Sequence, residues 1–375
     1  MRAALLAALG LVLAAPLAAQ EEEEPQYFWG ASYYPFPLKG PNDQLSVALI
    51  YHYAQPADYY DRVAFARSLS FEGRANASGS RMLVARFKAP RLARGWRLQV
   101  EAGAVRENRY GYFGLGNETE ETEDPPSENR WIDRVSRTRL YAKAEVTRRV
   151  TGPLHLAVAG SMTDAQFRSL PGLTKFAADF AEDPGSVDFL GQVRLVVDTR
   201  DNEIVPSRGF FGEAGVEIGS AGPGYTGVYG IANGFFPPWE GAVIAGRLLG
   251  RTIQSDAPLD ARSSLHAWER AIPLLGGPES HRAFVYGRYT GRQVLLGNLE
   301  FRQDILNFGD YGAFTGLAFI DAGMVQEVPE LEADTWHFGG GVGLAMRILR
   351  STVLQFNFAM GGDGFQFSMG TGWAF

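Results

Sequence analysis

Cysteine is absent from all 375 residues of this chain, so no disulfide framework holds the fold. Long hydrophobic runs are absent too. Past residue 20, nothing approaches the run of about 18 consecutive apolar residues that a membrane-crossing helix needs. Histidine is scarce: His52, His155, His266, His281 and His337 are scattered and, without cysteine, give no clustered metal spacing. None of them has a serine two residues on, so the His-x-Ser pattern of membrane-embedded phospholipases is missing. The net charge of −7 comes with no basic stripe, which argues against nucleic acid as a partner. Gly339-Gly340-Gly341 lies in a strand pattern and lacks the following helix of a phosphate loop. Asp198, Asp201 and Glu203 flank Arg200 and read as an ion-paired turn rather than as paired catalytic carboxylates. These absences leave no enzyme, cofactor or metal to expect.

What is present begins with a targeting signal. Arg2 gives a minimal positive start, residues 3–15 are apolar, and Leu17-Ala18-Ala19 is a small-residue exit. The run is too short to cross a bilayer as a helix and reads as a cleaved secretory peptide over 1–19, cut after Ala19 or Gln20. Residues 20–25 then form an acidic tail, and 26–375 are left for a single folded unit.

Through that unit the pattern has period two. Leu45, Val47, Leu49, Tyr51 and Tyr53 oppose Ser46, Ala48 and His52. Trp96, Leu98, Val100, Ala102 and Ala104 oppose Arg97, Gln99, Glu101 and Gly103. Leu140, Ala142, Ala144 and Val146 oppose Arg139, Tyr141, Lys143 and Glu145. Strands with one dry and one wet face require this alternation. A soluble sandwich or barrel with an apolar interior predicts the same alternation; the leader, the aromatics near strand ends and the loop pattern favour the membrane.

Turn signals cut the chain into strands near 26–37, 43–54, 60–73, 79–90, 95–108, 132–150, 153–166, 186–199, 208–220, 224–236, 240–256, 291–304, 311–323, 335–348, 350–361 and 364–375. With the first strand rising outward, the long links 107–131, 166–185, 255–291 and 323–334 all fall on one side. Long outer loops, short inner turns and an even count predict an all-β, transmembrane, antiparallel up-and-down barrel of about 16 strands in the bacterial outer membrane.

The most specific motifs are Gly276-Gly277-Pro278-Glu279-Ser280-His281-Arg282-Ala283-Phe284 in the longest loop and Phe319-Ile320-Asp321-Ala322-Gly323 in a late strand. Period two puts Phe319, Asp321 and Gly323 on one face, toward the lumen if Ile320 and Ala322 meet lipid. Tyr112-Phe113-Gly114-Leu115-Gly116-Asn117, Asp198-Thr199-Arg200-Asp201-Asn202 with Pro206 and Gly209, and Gly297-Asn298 with Glu300 accompany them. In these stretches the sequence resembles the BamA/TamA superfamily, the bacterial surface antigen type of barrel, in a form lacking periplasmic POTRA domains. The resemblance implies a long outer loop folded into the lumen, with Arg282 and Phe284 at its tip and Arg282 paired with Asp321. A poorly solvated guanidinium needs such a carboxylate. The family glycine after the arginine is Ala283 here; a backbone needing positive φ would strain it.

The last segment alternates Phe365, Phe367, Met369, Trp373 and Phe375 with Gln366, Ser368, Gly370, Gly372 and Ala374. Its aromatic end resembles the signal read by barrel-assembly machinery, and Gly370 and Gly372 are expected to loosen the seam between first and last strands. The resemblance implies a role in inserting or transporting protein or lipid, with outer-membrane lipid, the assembly machinery and a separate periplasmic component as partners. A passive solute pore is the alternative.

Overall fold

A computed structural model describes residues 29–38, 45–58, 61–254, 256–268, 270–327, 335–348 and 352–375; the proposed leader and acidic tail lie outside them. The first eleven strands are β1 (Gly30–Leu38), β2 (Ser46–Pro56), β3 (Phe65–Asn76), β4 (Arg81–Ala93), β5 (Trp96–Gly111), β6 (Arg134–Thr151), β7 (Leu154–Ser169), β8 (Gly185–Asp198), β9 (Gly209–Gly219), β10 (Tyr225–Phe236) and β11 (Ala242–Ile253). A two-stranded hairpin follows, β12 (Ser264–His266) with β13 (Ala271–Pro273). The large sheet then resumes with β14 (Gln293–Asn307), β15 (Gly312–Gln326), β16 (His337–Ile348), β17 (Thr352–Gly361) and β18 (Gly364–Thr371). A five-residue helix, α1 (Lys175–Asp179), sits in the β7–β8 connection, its start capped by the Thr174 hydroxyl.

Sixteen strands form one sheet in chain order, with β14 beside β11. Every ladder is antiparallel, and β1 and β18 end the order and lie beside each other. All sixteen strands expected for the sheet are therefore present, with shifted ends. β3 starts at Phe65, because residues 61–64 bend at the inner turn, and β15 runs on to Gln326.

The sheet is apolar outside, and inside it buries charged groups beside apolar ones. Leu83 and Leu140 are each 62% exposed and Leu248 69%, whereas Arg194, Glu217 and Glu300 are 1% exposed. Water would penalise the first group and an unpaired interior the second; a bilayer around the cylinder satisfies both. Connections follow the same logic. Residues 112–133, 170–184, 254–292 and 327–336 join strands at one rim, while the opposite rim is closed by turns as short as Arg94-Gly95 and Gly152-Pro153. The reading of residues 198–203 as an ion-paired turn also meets its geometry: Arg200 Nε lies 3.0 Å from Asp198, and Arg97 holds Glu203 through two bonds of 2.6 and 2.7 Å.

One expectation is corrected at the chain's last residues. Instead of a strand over 364–375, β18 stops at Thr371. Gly372 takes φ +83°, a conformation open to glycine, while its amide still bonds Val353. Residues 373–375 then turn into the barrel. Trp373 and Phe375 therefore leave the alternating row, which only Phe365, Phe367 and Met369 continue. Arg270 donates to the carbonyls of Trp373 (2.9 Å) and Ala374 (2.6 Å). Arg302 covers the Trp373 ring at 4.0 Å and Arg247 the Phe375 ring at 5.0 Å. The chain has no cysteine to interfere, so Ala374→Cys reports this seat directly. A water-soluble maleimide should leave it almost unmodified in the parent, and label it about tenfold faster once Arg270→Ala and Arg302→Ala remove charge-assisted bonds. Equal rates would mean that the arginines do not hold the tail.

Candidate functional site: a hairpin locked in the lumen

Residues 254–292 enter the bore from the rim of long loops, descend to the hairpin β12–β13 and climb back. Wall side chains grip the main chain of this hairpin rather than only its side chains. Arg251 donates to Ala261 O at 2.6 Å, Lys143 to Ala267 O at 3.1 Å and Gln192 to His266 O at 3.1 Å. Arg137 reaches Ser263 Oγ at 2.9 Å. Wall carboxylates neutralise these cations, Arg251 by Glu217 at 2.6 Å, Lys143 by Glu145 at 3.5 Å and Arg137 by Glu107 at 2.7 Å, and the neighbouring Arg194 lies 2.9 Å from Glu145 and 3.5 Å from Glu213.

The lowest part of the hairpin carries Trp268. Its indole Nε1 donates to Thr147 Oγ1 at 2.9 Å, and its backbone N–H donates to Glu213 at 3.0 Å. The ring stacks on Phe211, centroids 5.7 Å apart, and lies under Arg97 at 4.6 Å. Sequence reading did not single out this residue. The available signal was a tryptophan inside the longest loop, which a solvated loop has little use for.

On the ascending limb, Arg282 and Asp321 are fully buried and meet side on. Nε and Nη2 of Arg282 donate to the two carboxylate oxygens at 2.9 and 2.8 Å, and the Arg282 backbone N–H adds a third bond at 2.9 Å. Arg282 Nη1 contacts Glu300, and its guanidinium stacks 3.6 Å from the Phe319 ring centroid. Asn298 donates to Asp321 at 2.7 Å and to Ser280 O at 2.9 Å. Glu300 in turn holds Arg302 at 2.6 Å. This network reaches from the loop to the arginine that covers Trp373. Glu300 and Asn298 complete it.

Each remaining loop residue has a definite place. Phe284 is buried against Tyr289, centroids 5.3 Å apart, and His281, 4.5 Å apart. Burial holds the His281 imidazole below its ordinary pKa. Gly276 takes φ +119°, and a Cβ there would run into Val285 O; Gly277 passes the Tyr286 ring with φ +104°. A Cβ on Gly323 would strike Leu275, so this strand glycine makes room for the loop. Ala283 departs from the expected strain. Its φ is not positive, and its methyl group fills the space left by Gly339 and Gly361.

Comparison with known proteins places this geometry in context. A model of the Omp85 superfamily domain matches residues 64–373. The fold is similar to BamA from Haemophilus ducreyi lacking POTRA domains 1–3, with TM-score 0.57 and 13% identity over 92% of this chain and 70% of that one. It is similar to CdiB from Escherichia coli, with TM-score 0.60 and 11% identity over 93% and 63% of the respective chains. For CdiB from Acinetobacter baumannii the TM-score is 0.53 and the identity 12%, over 91% and 59%. The chain thus spans less than two thirds of either CdiB chain. No curated protein sequence matches it.

Proposed function

This chain belongs to the Omp85 superfamily, and from that premise we propose that its barrel inserts or translocates protein or lipid at the bacterial outer membrane, with residues 254–292 as a seated but displaceable plug. The observation that carries this reading is the chemistry of the seat. The hairpin in the bore is held by hydrogen bonds and ion pairs to the wall, among them those of Arg251, Lys143, Gln192, Asp321 and Glu300, beside an apolar cluster in which Leu265, Trp268, Leu275 and Phe284 pack with the wall residues Phe211, Leu249 and Leu296. The polar contacts can be exchanged for water or cargo one at a time. A bore filled in this way favours a gated translocator over a permanently open solute pore. The aromatic residues Phe365 and Phe367 of β18, with Trp373 and Phe375 beyond it, act, in this reading, as the signal by which assembly machinery inserts the barrel, and a separate periplasmic component delivers the cargo.

The test is depletion in the native cell followed by an inventory of outer-membrane proteins and lipids. Falling abundance of other barrels, or of a surface lipid, is the expected result. Slower uptake of small solutes with an unchanged inventory would instead make the protein a pore and end the proposal.

A further inference from the structure

Among the described residues, the lipid-facing surface carries charge at one place along the rim of long loops. On β5, Trp96, Leu98, Val100, Ala102 and Ala104 face the membrane, and Arg106 follows on the same face. Ten residues separate Trp96 from Arg106. At about 3.4 Å per residue and a tilt of about 40°, that climb is roughly 26 Å, the height of the apolar band of such barrels. Arg106 therefore emerges at the boundary between acyl chains and headgroups, on the rim of long loops. Its direct cross-strand partner is Arg81 on β4, also exposed, directly above Leu83 on the same face. Arg168 stands exposed on the same face of β7, two residues above the level of Arg106, whose row continues through Thr138 and Gln166.

Two like charges directly opposite each other repel. Among the described residues, no carboxylate pairs with Arg81, Arg106 or Arg168. Arg106 donates to Asn108 at 2.8 Å. The acid on this face, Asp164, sits one pair lower on β7 and accepts from Gln166 at 2.9 Å. Glu107 points the other way, into the lumen, where it holds Arg137. Above Arg81 the β3–β4 connection is only residues 77–80, so no long loop from this hairpin covers the pair. Below lie exposed Leu83, Ala104 and Leu140. Elsewhere along this rim the described lipid-facing positions are uncharged, as at Thr226, Thr252, Gln293 and Phe338.

We propose that Arg81 and Arg106, with Arg168 beside them, clamp the phosphate of an outer-leaflet phosphorylated lipid whose acyl chains lie along Leu83, Ala104 and Leu140. An anion between the guanidiniums converts their repulsion into two sets of charge-assisted bonds, and the fork geometry of arginine suits a phosphate. The proposal rests on the outward orientation of the long loops; labelling a cysteine at position 171 on intact cells checks that orientation separately.

The test is native mass spectrometry of the purified full-length barrel with added diphosphoryl lipid A, against its dephosphorylated form and against inorganic phosphate. The expected result is retention of the phosphorylated lipid, reduced about tenfold in Arg81→Gln/Arg106→Gln, the scale of one lost charge-assisted contact pair. Arg81→Lys/Arg106→Lys, which keeps the charge but not the fork, should fall between. Both positions are exposed, and heat-modified migration on a gel confirms that each variant is folded. Equal retention by parent and Gln variant would overturn the proposal. So would displacement of the lipid by inorganic phosphate at equal concentration, which would make the cluster a free-anion site.

Discussion

Replacing Arg282 with alanine is expected to turn a closed barrel into one that opens in bursts. In the parent, the guanidinium neutralises two carboxylates with no exposed surface, bonding Asp321 at 2.8 and 2.9 Å and contacting Glu300. Removing it leaves Asp321 with Asn298 and the Arg282 backbone amide, and Glu300 with Arg302 alone. Breaking a buried pair from one side costs about 3–5 kcal/mol, because the remaining charge stays desolvated. The cheapest relief is for water to enter, which requires the ascending limb to leave the wall. Planar-bilayer recordings should show large, intermittent openings in Arg282→Ala against a quiet parent. The double variant Arg282→Met, Asp321→Asn, which keeps Glu300 paired with Arg302, should be quieter than the single one, since no unpaired charge is left to hydrate. A silent Arg282→Ala barrel would mean that the limb is held by its apolar contacts, with Phe284 rather than the ion pair as the lock.

The strands were legible because lipid outside and water inside impose the same two-residue rhythm on every one of them, as in the row from Trp96 to Ala104. The Arg282–Asp321 contact was legible through motif context: a glycine-rich loop stretch and a Phe-x-Asp-x-Gly strand, in the right order. The rest of the lumen was not. Arg97 and Glu203 pair across 106 positions of sequence, and no local pattern ties one wall strand to a distant turn. β12 and β13 have three residues each, too few for a periodicity to register. The inward turn of residues 373–375 was hidden for a different reason. Trp373 and Phe375 keep step with Phe365, Phe367 and Met369 across a single polar position, Thr371, and it is the positive φ of Gly372 that turns the chain. A glycine in a strand is ambiguous from sequence alone: it can loosen the strand or end it.

The second large effect is expected at the other end of the hairpin, from Trp268→Ala. Trp268 is 4% exposed. Its truncation removes the stacking on Phe211, the bond to Thr147 and the face that Arg97 covers. Truncating a buried aromatic to alanine costs about 3–5 kcal/mol, here concentrated on a hairpin with only six residues of ladder. The loss also opens space. Trp268 lines a cavity of 310 Å³ at the short-turn rim, together with Arg97, Arg270, Trp373 and Phe375, and removing the indole extends that cavity up into the bore. Hydrogen exchange should therefore speed up sharply in β12 and β13 while the amide of Arg282, still bonded to Asp321, remains protected. This pattern separates the two fixings of the plug. Arg282→Ala should loosen the ascending limb and spare the Trp268 end, and Trp268→Ala should do the reverse. The two sites share no direct partner, so their costs should add within a few tenths of a kcal/mol. Simultaneous loss of protection at both ends in either single variant would mean that the hairpin moves as one rigid body, and a displaceable plug would then need only one trigger.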